Sequence, residues 1–79
     1  MNREEVLVYI NKLIKTERGN PITEEDTIVS SGVDSLGVTI VFMELDGRFG
    51  LYTPEEFQEL DFAVITAKDI IDKVVGNVH

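Results

Sequence analysis

The sequence predicts an all-α protein, a four-helix bundle whose third helix is short and whose first two helices are joined by a long loop. Three observations carry that expectation. Apolar residues recur at helical spacing in separate segments, residues that open or stop helices flank those segments, and no alternating apolar run is long enough to make a sheet. With 79 residues the chain is expected to form a single domain, 1–79, with a modest core.

The first helix is expected from about Asn2 to Glu17, where Val6, Leu7, Ile10, Leu13 and Ile14 share one face. Asn2 can cap it, Glu4 and Glu5 occupy its first turn, and Lys15 and Arg18 lie near its end, an order that suits the macrodipole. Gly19-Asn20-Pro21 should stop it, since glycine and asparagine accept a left-handed cap and proline cannot continue the ladder. A loop then runs from Ile22 to Val33. Within it, Thr23 to Asp26 can form one turn, and Ile22, Ile28 and Val29 are expected to anchor the loop to the core.

The second helix should run from Ser35 to Arg48 or Phe49 and end at Gly50. Val38, Val41, Phe42, Leu45 and Phe49 form its core face. Leu36, Ile40 and Met43 make a second apolar stripe at i, i+4, i+7, and a helix in so small a domain buries only one broad face. That second stripe is therefore expected to be at least partly exposed, the alternative being a helix buried all round. Thr53-Pro54-Glu55-Glu56 opens the short third helix with a capping box and a proline at the first helical position. It should end near Glu59 or Leu60, with Phe57 and Leu60 inward, and Asp61 to Ile65 follow as an apolar connector. Thr66 to Asp69 cap a last helix to about Val75, which presents Ile70, Ile71, Val74 and Val75 and is ended by Gly76-Asn77.

Charge and composition narrow the function classes. A formal charge of −8 argues against nucleic acid, and between Gly19 and Ala67 only Arg48 offsets ten carboxylates. Steering toward basic partner surfaces is one reading of that acidity, and a solvated surface that confers solubility is the plainer one. The chain has no cysteine, so any thiol it uses must be attached to it. No apolar run approaches a membrane span, Met1 to Glu5 lacks the apolar segment of a signal peptide, and a stand-alone, monomeric cytoplasmic protein is expected.

The chemistry-bearing stretch is Ser31-Gly32-Val33-Asp34-Ser35-Leu36. Ser35 is expected in the first turn of the second helix, where free N–H groups and the positive end of the macrodipole favour an attached phosphate. Gly32 lets the loop arrive steeply, and Asp34 is a good N-cap that sets a carboxylate beside the hydroxyl. Gly37 can keep space beside Ser35 for a partner's backbone. Ser30 and Ser31 read as loop hydrogen-bonding residues. A metal site lacks ligands, since His79 is the only histidine and Asp46-Gly47 has no calcium-loop spacing around it. Ser35 as a catalytic nucleophile lacks a base.

Gly32-Val33-Asp34-Ser35-Leu36, followed by Val41, Leu45, Phe49-Gly50 and the Thr53 to Glu56 helix start, resembles the acyl and peptidyl carrier protein family over nearly the whole chain. The resemblance implies a non-catalytic carrier with 4′-phosphopantetheine on Ser35, installed from coenzyme A by a phosphopantetheinyl transferase. An acyl or aminoacyl group would ride on that arm as a thioester. Asp34 matches the aspartate that helps hold magnesium in the transferase complex. Leu36, Ile40 and Met43 become a docking strip with Glu44 and Asp46 as steering charges. The partners implied are a loading ligase or acyltransferase and downstream synthase or tailoring enzymes.

Carriers of fatty acid synthesis commonly have acidic residues where Ile40 and Gly47 stand. Their absence leans toward a discrete carrier of polyketide or nonribosomal-peptide type. Phe42, Phe49, Phe57 and Phe62 would then fill space between helices that a long acyl chain would occupy. A carrier of fatty acid synthesis and an unmodified acidic interaction module stay open as alternatives.

Overall fold

A computed structural model describes residues 1–76. The described residues form four helices, α1 Arg3–Thr16, α2 Ser35–Phe49, α3 Pro54–Gln58 and α4 Ala67–Gly76, with a 3₁₀ turn at Val29–Ser31. No strand forms among the described residues, and the one bridge pairs Thr27 with Thr66. The all-α bundle with a short third helix is thus the observed architecture. Asn77, expected to help end the last helix, lies outside the described residues.

Helix α1 starts where its polar residues satisfy its free ends. Asn2 Oδ1 accepts from the Glu5 N–H at 2.9 Å, and Glu5 returns the bond to the Asn2 N–H at 3.3 Å. Val6, Ile10 and Ile14 are fully buried, while Leu7 and Leu13 flank them half-buried. This stripe packs on both α2 and α4, which makes α1 the element against which the bundle closes.

The end of α1 differs from expectation. The left-handed residue is Arg18, with φ 66°, and Gly19 does not have positive φ. Gly19 serves close approach instead. A Cβ there would stand 2.5 Å from both Ile14 Cγ2 and Val33 Cγ2, so the chain passes beneath two buried side chains that leave no room for one.

The α1–α2 loop is held by contacts the sequence pattern does not display. Asn11, on α1, accepts from the Ile22 N–H at 2.9 Å and donates to its carbonyl at 3.0 Å. Ile22 and Ile28 are buried anchors as expected, but Val29 is 42% exposed and anchors nothing in the core. As the first residue of the 3₁₀ turn, it sits on the outer side of a loop already pinned by Ile28. Further along, the Glu24 and Asp26 carbonyls accept the Lys68 and Ala67 N–H groups, each at 2.8 Å. The loop therefore satisfies two of the donors that α4 leaves free at its start.

Helix α2 begins at the Asp34 cap and ends at Gly50, which takes a left-handed φ of 61°. Val38, Val41, Phe42 and Leu45 are buried and Phe49 is half-buried, as the spacing predicts. In α4, Ile70, Ile71 and Val74 are buried and Val75 packs at the edge.

Helix α3, only five residues long, depends on its cap. Thr53 Oγ1 accepts from the Glu56 N–H at 3.1 Å and the Glu56 carboxylate accepts from the Thr53 N–H at 2.9 Å. Bonding to Thr53, through its backbone first and its hydroxyl second, lowers the Glu56 pKa below the ordinary carboxylate value. A lowered folded-state pKa stabilises the fold above the unfolded value, about 4.3 for glutamate, and that contribution is lost as pH falls through the folded value. Glu56→Ala, which removes the titrating carboxylate, is therefore expected to melt below the wild type at pH 6, with the gap narrowing toward pH 3. Thermal melts of the pair across that range test it, and a gap independent of pH would contradict it.

Candidate functional site at the start of helix α2

The loop delivers its last residues to α2 through one glycine and one valine. Gly32 has φ 89°, a left-handed conformation in which a side chain is strained, and it turns the chain out of the 3₁₀ segment. Val33 then plugs inward, 7% exposed, against Gly19 on one side and Gly37 on the other. With Val33 fixed, the next residues must emerge at the surface, and Asp34, Ser35 and Leu36 are all exposed.

Asp34 Oδ1 accepts from the Gly37 N–H at 2.7 Å, so it is the N-cap the sequence predicts. Ser35 occupies the first helical position. Among the described residues its hydroxyl has no hydrogen-bond partner, and the N–H groups of Ser35 and Leu36 have no protein acceptor. An exposed hydroxyl thus stands beside two free donors at the positive end of a 15-residue helix.

The neighbouring serines are committed elsewhere. The Ser31 hydroxyl is buried and donates to the Ile28 carbonyl at 2.6 Å, and the Ser30 hydroxyl donates to the Thr27 carbonyl at 2.6 Å. Both behave as loop hydrogen-bonding residues.

The second stripe of α2 is open to solvent at both ends. Leu36 is 69% and Met43 58% exposed, with Ile40 half-buried between them. Glu44 is exposed beside Met43. Asp46 also serves the fold, because its Oδ1 accepts from the Tyr52 N–H at 2.8 Å and so pins the α2–α3 connection. Burial first, then the charges of Asp46, Asp69 and Glu56, push the Tyr52 phenol pKa up.

Gly37 does not hold space for a partner. It is buried, and an added Cβ would collide with Val33 Cγ1 and lie 3.2 Å from Asp34 Oδ1. The room it provides is filled by this chain's own loop. Gly47 is the opposite case, with nothing among the described residues within 4 Å of where its Cβ would stand.

Beside Ser35 lies a groove of about 370 Å³ lined by Val29, Val33, Ser35, Val38, Thr39, Asp61, Phe62 and Ala63. Sequence reasoning missed Val29, Thr39, Asp61 and Ala63 as neighbours of Ser35. The surface valine after the buried Ile28 and the apolar run that follows α3 were the available signals. Three of the four phenylalanines meet at this side of α2: Phe62 stacks on Phe42 at 4.3 Å and meets Phe57 edge-on at 6.0 Å. Phe49 is elsewhere, edge-on to Tyr9 at 5.8 Å on the α1 side.

No cluster of metal-ligating side chains occurs among the described residues, and His79 lies outside them. No described helix is long and apolar enough to cross a membrane. No family model, curated protein or solved structure matches this chain.

Proposed function

We propose that this protein is a carrier of the acyl or peptidyl type, which holds an acyl or aminoacyl intermediate on 4′-phosphopantetheine attached to Ser35 and presents it to partner enzymes. One observation supports the reading above the rest: Ser35 is exposed and its hydroxyl has no partner among the described residues, at the first turn of α2, beside the Asp34 carboxylate. The attached group supplies a flexible arm and the thiol this chain lacks.

The residues present fit that group. Attack by Ser35 Oγ on the pantetheine-side phosphorus of coenzyme A would form the new P–O bond, break the anhydride P–O bond and release 3′,5′-ADP. A base of the transferase would take the hydroxyl proton. Asp34 commits Oδ1 to the helix cap, which leaves its other oxygen for a magnesium ion held against the reacting phosphates. The resulting phosphodiester anion would lie against the free N–H groups of α2. Leu36, Ile40 and Met43 form the apolar strip for docking, with Glu44 and Asp46 as its charges. A discrete carrier of polyketide or nonribosomal-peptide type is the reading favoured by the uncharged Ile40 and Gly47, in the cytoplasm and as a monomer.

The test is to incubate the protein with coenzyme A, magnesium and a promiscuous phosphopantetheinyl transferase and to weigh it intact. A mass gain equal to one phosphopantetheine supports the carrier. No gain with any transferase supports an unmodified acidic interaction module. Charge reversal at Glu44 gives a second result: association with a loading enzyme should slow several-fold at low salt, with the difference fading at about 0.5 M as the screening length falls toward the roughly 3 Å of 1 M salt. Stopped-flow binding across the salt series measures it, and a salt-independent effect would remove Glu44 from the rim. Glu44 is the cleaner position because Asp46 also holds the Tyr52 N–H.

A further inference from the structure

The groove beside Ser35 has one aromatic ring in its lining, that of Phe62. Phe62 lines the groove and also stacks on Phe42, at 4.3 Å between centroids and 21° between planes. Phe42 is 1% exposed and belongs to the core. Phe62 therefore stands between the groove and Phe42, with the core residues Val33 and Val38 beside it in the groove wall, and the two rings lie at contact distance with no gap for a column of methylenes. Phe57 meets Phe62 at 6.0 Å and Tyr52 meets Phe57 at 6.3 Å, so the aromatic row continues toward the start of α3. The space left outside this row, about 370 Å³, is at the small end of the range of roughly 300–1,000 Å³ for ligand pockets.

We infer that Phe62 closes the groove to long alkyl chains, so that the group carried at Ser35 is short or polar and stays outside the helices. This rests on the carrier reading of Ser35 and assigns to Phe62, a residue of the α3–α4 connector, the role of setting what that carrier holds. A long chain could pass between these two rings toward the core only by unstacking Phe62 from Phe42. A short acyl or aminoacyl group needs no such displacement, since the groove's valines and Ala63 already offer it an apolar wall, with Asp61 also in the lining.

The absence of cysteine permits a test that does not depend on any transferase. Ser35→Cys gives a single thiol, whose sulfur can be joined to N-octyl or N-methyl iodoacetamide with loss of iodide, and thermal midpoints of the two adducts are compared. With Phe62 intact the octyl and methyl adducts should melt within about 2 °C of each other, less than the roughly 4–8 °C expected from burying even one or two methylenes. In Phe62→Ala the octyl adduct should melt at least about 4 °C above the methyl adduct, because the chain then has a cavity to fill. Phe62→Val serves the same purpose if the alanine variant does not fold. A higher midpoint for the octyl adduct with Phe62 intact would overturn the inference, and so would no octyl gain in the folded Phe62 variant. Failure of Ser35 to accept phosphopantetheine would sink the carrier reading without altering these melts, so the two failures are distinguishable.

Discussion

Ser35→Ala is expected to abolish phosphopantetheine loading completely while changing stability by no more than about 0.5 kcal/mol. The two halves have separate causes. Loading is lost because the acceptor oxygen is gone, and neither Ser30 nor Ser31 can replace it with its hydroxyl bound to a loop carbonyl. Stability is kept because the Ser35 hydroxyl makes no hydrogen bond among the described residues: the cap is made by Asp34, and alanine is a good helix former at an exposed first-turn position. Intact mass after incubation with transferase, together with a thermal melt, checks both halves. A large loss of folding would make Ser35 a structural residue. Asp34→Ala should behave differently, with a cost of about 0.5–2 kcal/mol from loss of the cap as well as slower loading.

The second large effect is a change of sign between two glycines on one helix. Gly37→Ala is expected to destabilise the protein and Gly47→Ala to stabilise it, although both replace a helical glycine, Gly37 in the first turn of α2 and Gly47 in its last turns. Helix propensity favours alanine by roughly 1 kcal/mol in a helix interior and by no more than that in a first turn. At Gly47 nothing opposes that gain, since the space around the new Cβ is empty, and the midpoint should rise by about 4–8 °C. At Gly37 the new Cβ meets the Val33 side chain, which is buried and β-branched and so has no other rotamer to take up cheaply. Overpacking of this kind costs roughly 1–3 kcal/mol and should exceed the propensity gain. Displacing Val33 would also shift Asp34 and Ser35, so Gly37→Ala should load more slowly than wild type. Parallel urea or thermal melts of the two variants decide the signs, and equal stabilisation of both would show that Val33 yields.

The helices are legible in the sequence because each is written locally. Asn2 with Glu5, Thr53 with Glu56 and Thr66 with Asp69 are pairs three residues apart, and each makes its capping bonds. The exposed stripe of Leu36 and Met43 follows from the number of faces a small bundle can bury. What escapes the pattern is set by contacts between distant positions. The pairing of Asn11 with Ile22 leaves no periodic trace, because one amide side chain satisfies one backbone unit and many polar residues would fit the same place in the pattern. General propensity points to Gly19 as a left-handed cap, whereas its glycine is required by Val33, fourteen positions away. Arg18 takes the left-handed conformation instead, a non-glycine position that propensity alone argues against. At the site, the residue that bears the chemistry is legible, and the groove beside it is not. The groove is assembled from three separate segments, the 3₁₀ turn, α2 and the α3–α4 connector, which meet only in the folded chain.

The most direct test is the mass of the peptide containing Ser35 in protein purified from the cells that make it. A carrier will yield that peptide heavier by a phosphopantetheine, with any remaining cargo released by hydroxylamine as a thioester should be. A peptide that is bare at every stage of growth, in cells that load their other carriers, would contradict the assignment of Ser35.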